Sequence, residues 1–195
     1  MLREEACEVL IAVVGVPVIG LRYSALGEPR IVKERPCRGP SRLIPAGSAG
    51  KVVYFATILH AQNLKVAALL DADAAGEQAA KQDVLVHTLG NKQILRTKDA
   101  YTGPVAKVEI EELLRDTLIN IARSELKWDV AVVAAKQKTR PIVEIFQDRI
   151  QDFSKYKLAK AFVRWTRSHA ASDLTSAERD QWINLINAIN RSLAE

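Results

Sequence analysis

Two aspartates at alternate positions follow an apolar run in the middle of the chain: Asp71 and Asp73, in "LLDADAAG". Residues i and i+2 of an extended chain point to the same side, so both carboxylates could face one small volume. Two like charges at close range repel unless a cation joins them, and Mg²⁺ prefers such oxygen ligands. The pair therefore indicates a divalent-metal site. The alternative is that Asp73 caps a helix beginning at Ala74.

A second acidic cluster, "VEIEEL", contains Glu109, Glu111 and Glu112. Glu109 and Glu111 share a face if the segment is extended, whereas Glu109 and Glu112 share one if it is helical. Two carboxylate clusters near strand ends could hold two metals, which would clamp the attacking and leaving oxygens of a phosphodiester. The alternative is a helix N-terminus, where acidic residues complement the helix dipole.

One lysine of the segment "FSKYKLAKAFVRWTRSHA" falls on the apolar side of the predicted helix. Leu158, Phe162 and Trp165 form an apolar stripe, and Lys155 precedes Leu158 by three residues. An inward lysine is costly without a partner, although it could extend its ammonium to solvent at the helix end. The functional interpretation is a cation that stabilises charge in a phosphate-rich site.

The same predicted helix carries a basic stripe on nearly the opposite side. Its members are Lys157, Lys160, Arg164 and Arg167. Such a stripe is usually a solvated face, but it could also follow a nucleic-acid backbone.

The elements that position these residues form a predicted strand–helix–strand unit. Helical spacing predicts a helix over residues 51–63, and the apolar run 64–70 predicts a buried strand. "AAGEQAAKQ" predicts a short helix, and "DVLVHTL" (Asp83–Leu89) a second strand. Together they predict a right-handed βαβ unit, with ligands beyond the carboxyl ends of its strands.

The remaining segments are a loop before this unit and helices after it. Four prolines predict a loop from Tyr23 to Gly50. The acidic segment is expected to begin extended and become a helix. The next segment, "WDVAVVAAK", fits either a strand or a helix, and the chain from Pro141 onward is predicted to be helical. Thr175 and Glu178 form a capping box for the last helix.

Composition indicates a folded protein, and the order of the predicted elements indicates the α/β class. The 195 residues carry a net charge of +5, which suits a polyanionic partner without requiring one. Cys7 and Cys37 make no disulfide framework, so a reducing cytoplasm is expected. The apolar run Val9–Leu21 is too short to span a membrane and is predicted to be a buried strand or core. We expect an uncertain N-terminal segment (1–42), an α/β core (43–118) and a mainly helical region (119–195).

Three segments, in their order along the chain, resemble the C-terminal half of an OLD-family (overcoming lysogenization defect) nuclease. They are "IPAGSAGKVVYFATILHAQNLKVAALLDADAAG", "VEIEELL" and "FSKYKLAKAF". That half is a Toprim domain, with a Rossmann-like parallel sheet flanked by helices. The resemblance, over residues 43–193, matches Asp71 and Asp73 to the DxD motif, Glu109 and Glu111 to the later acidic motif, and Lys155 to the lysine of the helical insert. It implies DNA cleavage with two Mg²⁺ or Mn²⁺ ions, and it leaves open a homodimer.

Two family features are missing from the sequence: the opening "VEG-x-[ST]-D" motif, and the Walker A motif of the family's ATPase domain. An ATPase would therefore be a separate subunit or domain, and the missing glutamate would come from another chain or cleavage would be lost. Three rivals stay open. They are a degenerate Toprim domain that binds DNA or protein, another Toprim chemistry (primase or topoisomerase), and an ordinary α/β domain with capping acids and a solvated basic helix.

Overall fold

The computed structural model describes residues 8–12 and 42–194, the former and Arg42 at the level of the backbone. Four parallel strands form one sheet in the order β2-β1-β3-β4. The strands are β1 (Glu8–Ala12), β2 (Arg42–Pro45), β3 (Lys65–Leu70) and β4 (Ile94–Arg96). The expected α/β class with a parallel sheet is confirmed. The apolar run Val9–Leu21, predicted as a buried strand or core, contributes most of the strand β1, whereas its residues 13–21 lie outside the described part.

Helices cover both faces of this sheet. The first three are α1 (Ala49–Ala61), α2 (Ala74–Ala80) and α3 (Asp83–Leu89). The other five are α4 (Arg115–Ile121), α5 (Ala131–Lys136), α6 (Ile142–Arg149), α7 (Lys155–Trp165) and α8 (Ser176–Ala194). No helix in the described ranges is long and apolar enough to cross a membrane.

Strand β3 separates two hydrophobic cores. Its residues Val66, Ala68 and Leu70 pack with α1 and α3, whereas Leu69 faces the opposite core, built mainly from α4 to α8. Because successive strand residues point to opposite faces, a strand buried on both sides reads as a continuous apolar run. The predicted strand 64–70 is therefore confirmed, as are the helices predicted on either side of it.

The predicted strand Asp83–Leu89 is wrong, because this segment is the helix α3. Leu85 and Leu89 are buried four residues apart, Val84 is exposed, and Gly90 ends the helix at φ 76°. The valines suggested a strand, but burial at helical spacing outweighs that preference. The βαβ unit exists with β4 (Ile94–Arg96) as its second strand. The predicted loop is also interrupted, since Arg42–Pro45 forms the edge strand β2.

The C-terminal helices are joined to the rest of the protein by a buried carboxylate. Glu178 accepts hydrogen bonds from the backbone N–H of Thr117 at 2.8 Å and of Thr175 at 3.1 Å. The hydroxyls of both threonines also donate to it, at 2.8 and 2.9 Å. The predicted capping box is confirmed, and its acid additionally fixes α8 to the start of α4. The undecided segment "WDVAVVAAK" contains the helix α5.

Candidate functional site

Asp71 lies directly after β3, at the carboxyl edge of the sheet, and is 8% exposed. Its Oδ1 accepts a hydrogen bond at 3.1 Å from the backbone N–H of Ile110, which lies inside the acidic segment. Gly76 of α2 packs against the Asp71 backbone so closely that a Cβ there would lie 1.9 Å from the Asp71 carbonyl oxygen. Only glycine fits this contact, so the first turn of α2 sits directly on the strand end.

The acidic segment is tied to the same edge of the sheet through Thr97, which follows β4. The backbone N–H of Ala72 donates to the Val108 carbonyl oxygen at 2.8 Å and to the Thr97 hydroxyl at 3.1 Å. The Thr97 hydroxyl in turn donates to the Val108 carbonyl oxygen. These hydrogen bonds place Glu109 at the edge of the sheet. The 3₁₀ turn Ile110–Leu114 follows it directly in the chain.

Lys155, the first residue of α7, lies between two glutamates of that segment. Its Nζ is 2.6 Å from Glu109 Oε2 and 3.1 Å from Glu111 Oε1. Glu109 and Glu111 therefore meet the same ammonium group, although Ile110–Leu114 is a 3₁₀ turn and the segment is extended only up to Glu109. The expectation that Lys155 is on the apolar side is confirmed, since Leu158 and Phe162 of the same face are buried.

Burial and mutual repulsion perturb the pKa values of this cluster. Burial, then the negative charge of Glu111, raises the pKa of Asp71 to about 7. Burial also raises the pKa of Glu111, although Lys155 opposes the shift. For Lys155, burial lowers the pKa, but the charges of Glu111 and Glu109 outweigh it and the net shift is upward. The cluster thus has three carboxyl groups, one ammonium and a strong electrostatic coupling among them.

Asp73 and Glu112, the other two predicted metal ligands, are engaged elsewhere. Asp73 is the N-cap of α2, and its Oδ1 accepts from the Gly76 N–H at 2.7 Å, as the capping alternative predicted. Glu112 is 3% exposed, pairs with Arg115 at 2.6 Å and accepts from the Ile142 N–H at 2.9 Å. Both carboxylates have structural roles in this conformation.

Three members of the predicted basic stripe lie on the exposed face of α7, whereas Arg167 lies in the turn after it, and one member is neutralised. Arg164 pairs with Glu125 at 2.8 Å. Lys160 lies 5.4 Å above the ring of Tyr156. Within the described part of the chain, Lys157, Lys160 and Arg167 form no ion pair with an acidic side chain. A basic surface of reduced extent remains, beside an aromatic ring that the sequence analysis did not single out.

Two observations bear on whether a divalent cation fits the cluster. Glu111 is 1% exposed, and apart from the ion pair of Oε1 with Lys155 at 3.1 Å its carboxylate oxygens have no polar partner, which is costly for a buried carboxylate. Across residues 8–12 and 42–194, however, no group of three acidic, histidine or cysteine side chains is placed to hold a metal. The ligand chemistry of the cluster fits Mg²⁺, but Lys155 is the cation that its carboxylates contact.

The residues that sequence reasoning missed are those that hold the cluster in place. Thr97 was missed because the second strand was assigned to the wrong segment. Arg115, which also donates to the Arg140 carbonyl oxygen at 2.9 Å, had no sequence signal beyond its position three residues after Glu112. Tyr156 had one available signal, its place between Lys155 and Lys157.

Comparison with known proteins returned no matching family model, no matching curated protein and no matching solved structure. Any functional conclusion therefore rests on the residues and their geometry.

Proposed function

We propose that this chain is a Toprim-like domain related to the OLD nucleases, acting as a divalent-metal-dependent DNA endonuclease or nickase. The observation that carries the proposal is the convergence of residues distant in sequence. Asp71, the Glu109–Glu111 pair and Lys155 were each selected from sequence, and they come together at the carboxyl edge of a parallel sheet. This edge is where α/β proteins commonly place their ligand sites.

The chemistry of the cluster suits phosphodiester hydrolysis. In a conformation in which Lys155 releases the two glutamates, Asp71, Glu109 and Glu111 would supply the carboxylate ligands for Mg²⁺ or Mn²⁺. A bound cation would neutralise phosphate charge and activate water. Lys155 would then position the phosphate or stabilise the negative charge that develops on it. Glu109 is partly exposed and meets Lys155 at the rim of the cluster, so this pair is the part of the site that solvent and substrate reach first.

A second candidate is a degenerate Toprim-like domain that binds DNA or protein without cutting it. Lys155 already neutralises part of the acidic cluster, and Asp73 and Glu112 have structural partners. Strand β1 contains no acidic residue after Glu8. Strand β1 is the neighbour of β3, so this candidate predicts a carboxylate deficit at the site and weak metal binding.

Nicking of supercoiled plasmid in Mg²⁺ or Mn²⁺ tests the first proposal against the second. We expect metal-dependent nicking by the full chain, and a loss of about a hundredfold or more in Asp71→Asn, the scale for removing one charged catalytic group. Asn keeps the acceptor for the Ile110 N–H, so the variant should fold. The matched control is Asp180→Asn, which removes an exposed carboxylate from α8 and should leave nicking unchanged.

A calorimetric titration with Mg²⁺ and Mn²⁺ separates the remaining outcomes. Folded wild-type protein that neither nicks plasmid nor binds either cation would refute the nuclease proposal and favour the degenerate domain. Nicking that persists in Asp71→Asn would refute the assignment of this site. Nicking that is lost in Asp180→Asn but kept in Asp71→Asn would place the active site elsewhere. Equal nicking by all three proteins would indicate a contaminating nuclease.

A further inference from the structure

The exposed face of α7 combines an aromatic ring with cations immediately beside the acidic cluster. Tyr156 follows Lys155 directly, and its side chain is 66% exposed, a large fraction for an aromatic residue. On a helix, successive residues are about 100° apart, so Lys155 points into the protein while Tyr156 points out of it. The same turn of helix therefore serves both the buried cluster and the surface.

Lys160 lies one helical turn after Tyr156, with its ammonium 5.4 Å from the ring centroid. This cation–π contact places positive charge at one face of the ring. An exposed fraction of 66% leaves much of the remaining ring surface open to solvent. The result is a flat aromatic platform bordered by ammonium groups, since Lys157 is on the same exposed face.

An exposed ring flanked by lysines has the features that recognise an unpaired nucleobase and its phosphates. Every base has a flat face that can stack on an aromatic side chain, and lysines contact the adjoining backbone without regard to sequence. In a duplex the base faces are occupied by neighbouring bases, so a ring can stack on them only where the strand is single or open. Backbone contacts alone would not discriminate between the two forms.

We propose that Tyr156, with Lys157 and Lys160, is a stacking platform for single-stranded DNA, and that it directs unpaired DNA to the acidic cluster. This inference deepens the proposed function and rests on it for the identity of the nucleic acid. The protein should therefore prefer single-stranded or locally opened DNA to an intact duplex.

Fluorescence anisotropy with the full chain, in EDTA to prevent cleavage, tests the platform. The probes are a labelled oligo(dT) of about 20 nucleotides, a hairpin duplex and oligo(U) of the same length as oligo(dT). The single strands are long enough to cover a binding site of roughly 4–16 nucleotides. We expect oligo(dT) to bind most tightly, and Tyr156→Ala to weaken it by about fivefold or more while duplex affinity changes little. Tyr156→Phe keeps the ring and should bind as wild type does.

Tyr54→Ala is the matched control, because Tyr54 is 70% exposed but lies on α1, and it should leave oligo(dT) affinity unchanged. Lys160→Met should reduce the salt dependence of binding, because one phosphate contact is lost. Equal binding of oligo(dT) by wild type and Tyr156→Ala, or a preference of wild type for the duplex or for oligo(U), would overturn the inference.

The two proposals can fail separately. Tyr156-dependent binding of oligo(dT) by a protein that neither nicks plasmid nor binds Mg²⁺ or Mn²⁺ would support the platform and refute the nuclease. Metal-dependent nicking by a protein whose affinity for oligo(dT) is unchanged in Tyr156→Ala would support the nuclease and refute the platform.

Discussion

Ionisation of Asp71 should destabilise the folded protein, which makes Asp71→Asn a stabilising change at high pH. The carboxyl group is 8% exposed and close to Glu111 and Glu109, so its pKa in the folded state is about 7, against 3.8 as the ordinary value. The folded protein keeps this proton at pH values where the unfolded chain has lost it. Stability should therefore fall as the pH rises from about 4 to about 7 and level off above that.

The size of the effect follows from the difference between the two pKa values. A difference of about three pH units corresponds to about 4 kcal/mol, an upper limit because Asp71 titrates together with the neighbouring Glu111 carboxyl group, whose pKa is also raised. Asn cannot ionise and keeps the hydrogen bond from the Ile110 N–H. We therefore expect Asp71→Asn to be about 2–4 kcal/mol more stable than wild type at pH 8 and similar to it near pH 4.

Urea unfolding followed by circular dichroism at several pH values between about 4 and 8 measures this difference. Asp180→Asn, which neutralises an exposed aspartate, is the control and should track wild type throughout. The raised pKa of Glu111 contributes in the same direction, so some pH dependence should survive in Asp71→Asn. A variant less stable than wild type at pH 8, or a difference that does not change with pH, would refute this account of the cluster.

Two further predictions concern the framework around the site, and both are measured as shifts in the urea midpoint. Gly76→Ala should lower the free energy of unfolding by about 3 kcal/mol or more, because the new Cβ would overlap a backbone carbonyl oxygen. Gly50→Ala should be neutral or stabilising, because its Cβ would meet no atom of another part of the chain within 4 Å. A Gly76 variant as stable as wild type would show that the contact between α2 and the end of β3 is looser than described. Glu112→Ala should lower the free energy of unfolding by about 3–5 kcal/mol, because it leaves Arg115 without its carboxylate. Glu144→Ala should lower it by less than about 1 kcal/mol, because the ion pair it breaks has an acid that is 41% exposed. Similar costs for the two glutamates would contradict the structural role given to the Glu112–Arg115 pair.

Much of the local structure was determined by the sequence alone. The continuous apolar run before Asp71 indicated a strand buried on both faces, because strands in the middle of a parallel sheet bury successive residues on opposite sides. The Thr175–Glu178 box located the start of the last helix, since capping depends on neighbouring residues. The apolar spacing around Leu158 placed Lys155 on the inner side of α7.

The tertiary structure decided which of several local options each segment took. Asp83–Leu89 has valines that suit a strand, but burial of Leu85 and Leu89 against α1 and the sheet favours a helix, and that surface is not encoded within the segment. The two aspartates of "DADAAG" looked equivalent in sequence, yet Gly76 brings α2 onto the strand end, so Asp73 caps the helix while Asp71 meets the acidic segment. Glu111 and Glu112 are adjacent, but only Glu111 reaches Lys155, because Arg115 and the Ile142 N–H hold Glu112. These outcomes depend on contacts between residues far apart in the chain, whereas periodicity and capping depend on residues a few positions apart.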